Sequence, residues 1–254
     1  MSGGLMSGDP MSGGPMAGDR SRADSLRWAA EGTTIFFDAL AGLPDERLDE
    51  PTALPGWSGR HLLAHVAANA DALANLVHWA RTGEERPMYS SPEQRDADIA
   101  AGAARPAAEL RAWAARTAGD LGARLAELDE RQWKEHVRTA QGRTVTAEEI
   151  PWMRAREVMV HAVDLGAGVT FGGLPADFLA ALAGDIAAKR AAGPGPALTL
   201  TATGGGGTWR IPGAGPAVAV TGTLAGLAAY LSGRPFDGVT GETGGPPPEL
   251  PRWL

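Results

Sequence analysis

Apolar residues recur at helical spacing along most of the first two thirds of the chain. From about Ser21 to Leu40 the stripe is Leu26, Ala29, Ala30, Thr33, Phe36, Phe37 and Leu40, which predicts an amphipathic helix. Pro44 and Pro51 punctuate the next stretch, and Pro55-Gly56-Trp57-Ser58 reads as a turn with Ser58 as N-cap. A long helix is predicted from about Gly59 to Arg81, stopping near Gly83. Residues 84–91 read as a loop. A helix begins after Ser91 with Pro92 at its first position and is broken by Gly102 and Pro106. The stripe Leu110, Trp113, Ala114, Thr117, Leu121 and Leu125 marks another helix over 107–128. Residues 133–142 are less regular, and Gln141-Gly142-Arg143 is a turn candidate. A further helix covers about Ala147 to Leu165 and is closed by Gly166. Amphipathic helices joined by modest loops predict a four-helix bundle.

The pattern changes after Gly166, Gly168, Gly172 and Gly173. A helix is expected from Pro175 to Arg190. Ala197–Ala202 and Thr208–Ile211 then alternate as strands around a Gly204–Gly207 hairpin loop, and Ala217–Thr221 reads as a third strand. Thr223 is placed to cap a short helix to Leu231, and a Pro-rich tail comes last, in which Trp253 is the docking candidate. The fold class is therefore α+β, a bundle followed by a smaller domain with strands segregated from helices. The expected divisions are a disordered tail at 1–20, the bundle at 21–166 and the C-terminal domain at 167–254. The tail is a near-repeat of Met, Ser, Gly and Asp that buries too little to offset ordering entropy, and Met11 and Met16 are further candidate start sites.

Composition narrows the function. The 254 residues carry a formal charge of −7 and 44% apolar content. With no basic stripe, a nucleic-acid surface is not expected. There is no apolar run long enough for a membrane span and no signal-peptide pattern, so a cytoplasmic protein is the expectation. The chain contains no cysteine, which removes disulfides, thiolate metal sites and a cysteine nucleophile. Chemistry that needs a thiol must take it from a cosubstrate.

The densest chemistry lies in the helix containing Arg154, Arg156, Glu157, His161 and Asp164. Glu157 and His161 are four apart and share a face, with Asp164 three further on. The positions between them are apolar. The pair is either a buried Glu–His hydrogen bond or part of a metal site. In a bundle, ligands come from facing helices. His65 on the second long helix would complete a two-His, one-carboxylate set, which suits zinc with an open fourth position or non-haem iron. His61 is the rival ligand, one turn nearer the fraying helix start. His78 and His136 read as surface or packing residues. Asn69 and Asp164 each lie one turn beyond a candidate ligand; they could orient an imidazole or a bound thiol, or serve as a solvent-facing amide and a helix-end cap. Arg154 and Arg156 read as solvated helix surface. Arg234, in Ser232-Gly233-Arg234-Pro235, is either a surface arginine or a fork for a carboxylate in an interdomain cleft. The Gly204–Gly207 run lacks the following Lys-Ser/Thr and helix of a phosphate loop.

Four stretches resemble the mycothiol-dependent maleylpyruvate isomerase family: Leu54-Pro-Gly-Trp-Ser-Gly-Arg-His-Leu-Leu-Ala-His-Val-Ala-Ala-Asn69, His78 to Tyr89, Thr139-Ala-Gln-Gly-Arg-Thr144, and Trp152 to Gly166. The likeness continues through Gly222-Thr-Leu-Ala-Gly226, Gly233-Arg234, Asp237-Gly-Val-Thr240 and the closing Pro251-Arg252-Trp253-Leu254, and spans about Arg22 to Leu254. It implies a DinB-like bundle, zinc held by His65, Glu157 and His161, a sterol-carrier-like C-terminal domain and Arg234 near substrate. It also implies mycothiol as thiol cosubstrate and a small dicarboxylate substrate; no nucleic-acid or membrane partner is expected from the composition, and a monomer is the expected state. The reaction implied is cis–trans isomerisation of maleylpyruvate to fumarylpyruvate, in gentisate-type aromatic catabolism. The competing readings are a mycothiol S-transferase on the same scaffold, a ligand-binding protein without metal, and a zinc-binding regulator.

Overall fold

The computed structural model describes residues 20–251 and 253, so the expected disorder of the first 20 residues lies, but for Arg20, outside the described residues. The described residues form two compact units, Arg20–Leu174 and a second from Pro175 onward. The first unit thus runs on past the expected boundary at Gly166.

In the first unit, α1 (Arg22–Ala41) starts at a capping box in which Asp24 N–H donates to the Ser21 hydroxyl. Trp28, Gly32, Phe36 and Leu40 are on its buried face. That face packs on α6 (Glu149–Asp164), and Trp28 meets Trp152 edge to face at 5.7 Å. Gly32 makes the approach possible, because a Cβ there would lie 2.7 Å from the Val158 Cγ2 atom and 2.8 Å from Met159 Cγ.

Between these two helices in sequence come α2 (Gly59–Thr82), α3 (Pro92–Ala103), α4 (Ala107–Ala126) and the single turn α5 (Glu130–Trp133). The central element is α2, which packs against α3, α4 and α6. It ends at Gly83 in the left-handed conformation, φ 77°, in keeping with a glycine just after the last apolar position. The irregular stretch before α6 is a correction to the sequence reading. Strands β1 (His136–Arg138) and β2 (Thr144–Thr146) form an antiparallel hairpin whose inward Val137 is buried, with Gly142 at φ 77° in its turn. Three-residue strands are too short to show alternation, so only the turn is visible in the sequence.

The bundle interior holds two apolar clusters. One includes Phe36, Leu62, Val66, Ala68, Val158 and Ala162; the other includes Ala70, Leu73, Leu76, Ile150 and Met153. Along α2 the change of cluster falls between residues 68 and 70, and along α6 between 153 and 158. Buried polar side chains stand at this level: Asn69 and Arg154.

The C-terminal unit contains α7 (Ala176–Ala191), a sheet of β3 (Pro196–Ala202), β4 (Thr208–Ile211) and β5 (Ala214–Gly222), and α8 (Leu224–Leu231), capped by the Thr223 hydroxyl. The strand order is β4-β3-β5, with β3 antiparallel to β4 and parallel to β5. Only two residues join β4 to β5, so the chain passes over the start of β3. Gly213 is required there: a Cβ would lie 2.5 Å from the Gly195 carbonyl oxygen. The tail is held by Tyr230, which donates to the Pro248 carbonyl at 2.6 Å. Among the described residues no helix is long and apolar enough to cross a membrane.

Candidate functional site

The site begins with two helices that must place polar groups inside an apolar interior. On α2, His65 comes one turn after His61. His61 is engaged at the helix start, its Nδ1 2.9 Å from the Ser58 hydroxyl in a capping arrangement. That leaves His65, buried at 7% exposure, to face α6. Its Nε2 lies 2.9 Å from Glu157 Oε2. The same carboxylate oxygen is 3.2 Å from His161 Nε2, one turn along α6. The two imidazole rings meet edge to face with centroids 5.0 Å apart, and Trp57 closes on His65 at 5.2 Å.

Electrostatics follow from this geometry. Burial favours a neutral Glu157, but hydrogen bonds from His161 and His65 prevail and hold its carboxyl well below the usual range. Burial also dominates at His65 and pushes it down, so it is neutral. At His161 burial is overcome by hydrogen bonds to Asp164 and Glu157, and its pKa is raised to about 9. Its Nδ1 lies 2.9 Å from Asp164 Oδ2, and Asp164 is buried at 2% exposure. His161 is thus an imidazolium between two carboxylates when no metal is bound.

One ligand atom from each of His65, Glu157 and His161 lies within 4.8 Å of the others. Two imidazole nitrogens and a carboxylate converging on one point are a fitting donor set for zinc, which would leave a position open. The pairing of His161 Nδ1 with Asp164 fits as well, because a carboxylate on the far nitrogen fixes the ring with Nε2 toward the metal.

Residues 29–166 match the family described as "Mycothiol maleylpyruvate isomerase N-terminal domain". A crystal structure of the mycothiol-dependent maleylpyruvate isomerase is 42% identical in sequence, covers 94% of this chain and 100% of its own, and superposes with a TM-score of 0.89. The chain belongs to the mycothiol maleylpyruvate isomerase family. A crystal structure of a histidine-to-alanine mutant of that isomerase matches to the same degree, at 42% identity and TM-score 0.89. YfiT from Bacillus subtilis, described as a probable metal-dependent hydrolase with an unusual four-helix bundle topology, is more distant: 19% identity, TM-score 0.45, over 62% of this chain and 94% of that one. No curated protein matches the chain significantly. The family is one of isomerase enzymes, and the bundle followed by a small sheet-containing unit is the architecture expected of it.

Within this member of the isomerase family, the remaining expected site residues fall in different places. Asp164 is next to His161, in the orienting position. Asn69 is buried at 4% exposure rather than solvent-facing, but its Oδ1 accepts from Arg154 Nη1 at 3.1 Å and not from an imidazole. Arg154 is the clearest correction. Sequence reasoning places it on solvated surface, yet it is 2% exposed and also donates to the Val66 carbonyl at 2.8 Å. Burial brings its pKa down to about 10, which leaves it charged at neutral pH. Its spacing of three before Glu157 puts it on the ligand face, a signal present in the sequence. Arg234 belongs to the C-terminal unit, just past α8, where its Nη1 donates to the Ser232 carbonyl at 2.8 Å and its guanidinium lies 5.8 Å from the Trp253 ring. His78 contacts exposed Glu84 at 3.5 Å, and His136 is exposed on β1.

Sequence reasoning misses two side chains near the His65–Glu157–His161 cluster, Arg95 and Tyr89. Arg95, in the first turn of α3, places Nη2 3.4 Å from His65 Nδ1. Its guanidinium also lies 5.9 Å from the Tyr89 ring centre. Neither residue shares an element with a ligand, so no periodicity could connect them.

Proposed function

We propose that this protein is a mycothiol-dependent cis–trans isomerase that converts maleylpyruvate to fumarylpyruvate. The observation that carries the reading is the convergence of His65, Glu157 and His161 on one point inside a bundle of this family. Those three residues would hold a zinc ion. Bound there, zinc would supply Lewis acidity that lowers the pKa of a cosubstrate thiol.

The chain has no cysteine, so the thiol must come from outside, and mycothiol fills that role. The cis double bond of maleylpyruvate is conjugated to carbonyls. Thiolate addition forms a C–S bond, breaks the π bond and moves its electron pair into an enolate. Rotation about the resulting single bond comes next. Collapse of the enolate re-forms the double bond and expels the thiolate, giving the trans isomer. No net proton or electron is consumed.

The chain's own residues have distinct tasks in this scheme. Asp164 holds the His161 ring so that Nε2 faces the ligand point. Arg154, fixed by Val66 and Asn69, keeps a positive charge near the Glu157 carboxylate. Trp57 packs its ring edge to face against His65. Arg234 is assigned to the substrate carboxylates and the developing enolate, a role that rests on the family resemblance. The deciding assay supplies purified protein with maleylpyruvate and mycothiol and monitors fumarylpyruvate. Isomer formation that needs both the thiol and a divalent metal is expected. A stable thiol adduct instead of isomer would make the protein an S-transferase.

A further inference from the structure

The surroundings of the two histidines are unequal. His161 turns its Nδ1 to the Asp164 carboxylate, an acceptor. His65 turns its Nδ1 to the Arg95 guanidinium at 3.4 Å. Without metal the second arrangement is satisfied: His65 Nε2–H donates to Glu157, and Nδ1 accepts from Arg95. Ligation through Nε2 reverses it. A neutral imidazole carries a single N–H, so a metal on Nε2 leaves Nδ1 as a donor. A guanidinium has donors only. The two groups then cannot bond to each other, and His65 Nδ1–H and Arg95 Nη2 are left facing one another as donors, while Arg95 Nη1 stays on Asp96.

Other donors stand nearby. The pKa of Tyr89 is pushed up to about 12, by burial above all, so its phenol keeps its proton. Arg154 is fully within the bundle, and its buried Nη2 atom has no hydrogen-bond partner among the described residues. It lies within electrostatic reach of Tyr89. Arg95 has its Nη1 on Asp96, a carboxylate that is itself 72% exposed, and so is not neutralised by a buried partner. Two guanidinium groups and a divalent ion against two carboxylates would leave the loaded site net positive.

We propose that Arg95, assisted by Tyr89, binds a carboxylate of the substrate beside the His65–Glu157–His161 site, and that metal and carboxylate binding reinforce each other through His65. The carboxylate would give His65 Nδ1–H and Arg95 Nη2 a shared acceptor once the metal is in place, beyond the Asp96 carboxylate that already holds Arg95 Nη1. The coupling is reciprocal by linkage: whatever metal does for the anion, the anion does for metal. The choice of a substrate carboxylate as the anion rests on the isomerase reading.

The test uses maleate, a cis-dicarboxylate, titrated calorimetrically into the full-length protein without thiol. Zinc-loaded protein is expected to bind maleate about tenfold or more tightly than metal-free protein. Arg95→Gln should retain its zinc and bind maleate about 10- to 100-fold more weakly, the usual range for losing a charge-assisted hydrogen bond. Arg95→Lys should recover part of this, since it restores charge but not the planar fork. In the parent protein maleate should raise zinc affinity, and in Arg95→Gln it should not. Parent-like maleate binding by zinc-loaded Arg95→Gln overturns the proposal. So does loss of zinc by both Arg95 variants, which would make Arg95 a support of the metal site. Maleate binding that depends on Arg95 in a protein with no isomerase turnover would sink the isomerase reading alone. Turnover with Arg95-independent binding would remove only the present inference.

Discussion

Replacing Asp164 tests the metal site through a residue that would not touch the metal. Asp164 is 2% exposed, and its Oδ2 lies 2.9 Å from His161 Nδ1. With Nε2 as ligand, Nδ1 carries the proton and donates to this carboxylate. Asp164→Ala removes the acceptor of that largely buried N–H. An orphaned buried donor costs about 1–3 kcal/mol, and hydrogen bonds to charged groups fall in the upper part of that range. The metal-free imidazolium loses the same partner, so zinc affinity reports the difference between the two states; a drop of about 10- to 100-fold is expected, the usual loss for outer-shell partners that orient ligating histidines. Asp164→Asn can still accept through its amide oxygen but lacks the charge, and should fall between the parent and alanine proteins. Competition against a chromophoric chelator of known zinc affinity measures the drop, and a melting curve of the metal-free protein separates it from loss of fold. Equal zinc affinity in the parent, alanine and asparagine proteins would refute the orienting role.

Elemental analysis of His65→Ala and His161→Ala should find little zinc, whereas His61→Ala, whose imidazole serves the α2 cap, should retain it. Asn69→Ala removes an acceptor from buried Arg154 and should destabilise the bundle by about 1–3 kcal/mol in urea, with zinc content unchanged. Gly32→Ala drives a Cβ to 2.7 Å from Val158 and should cost about 1–3 kcal/mol of overpacking in the same measurement. Arg234→Ala should keep zinc and fold but lose about 10²–10³ in turnover if it meets the developing charge, and Arg234→Lys should restore only part. Parent-like turnover and Michaelis constant in Arg234→Ala would leave the C-terminal unit without a part in the chemistry.

The helices are legible in the sequence because each carries its own punctuation. Ser21, Ser58 and Ser91 precede them, Gly83 ends the longest, and apolar stripes face inward with a period near 3.6. The convergence of His65, Glu157 and His161 is legible for the same reason. Glu157 and His161 are one turn apart on a single helix, and His65 needs only the assumption of a facing helix. The β1–β2 hairpin is not, since three residues per strand carry too little pattern. The parallel pairing of β3 with β5 is not either. It depends on the chain crossing at Gly213, where the constraint is a backbone contact and not a side-chain period.

The charged residues around the ligands are the least legible, and the reason is physical. A surface arginine and a buried one have the same composition signal. What distinguishes Arg154 is the supply of neutral acceptors, the Val66 carbonyl and the Asn69 amide, and both come from α2, more than eighty residues away. An unpaired buried cation in an apolar interior would be costly. A bundle that retains one must gain from its field. Glu157, whose side chain is 23% exposed, is the carboxylate that interacts with that charge. Arg154 favours the ionised carboxylate through its charge. Removing the arginine should therefore act on metal binding through charge, taking away both the field that favours ionised Glu157 and a charge that repels a bound cation, and the two imidazole donors should remain where they are.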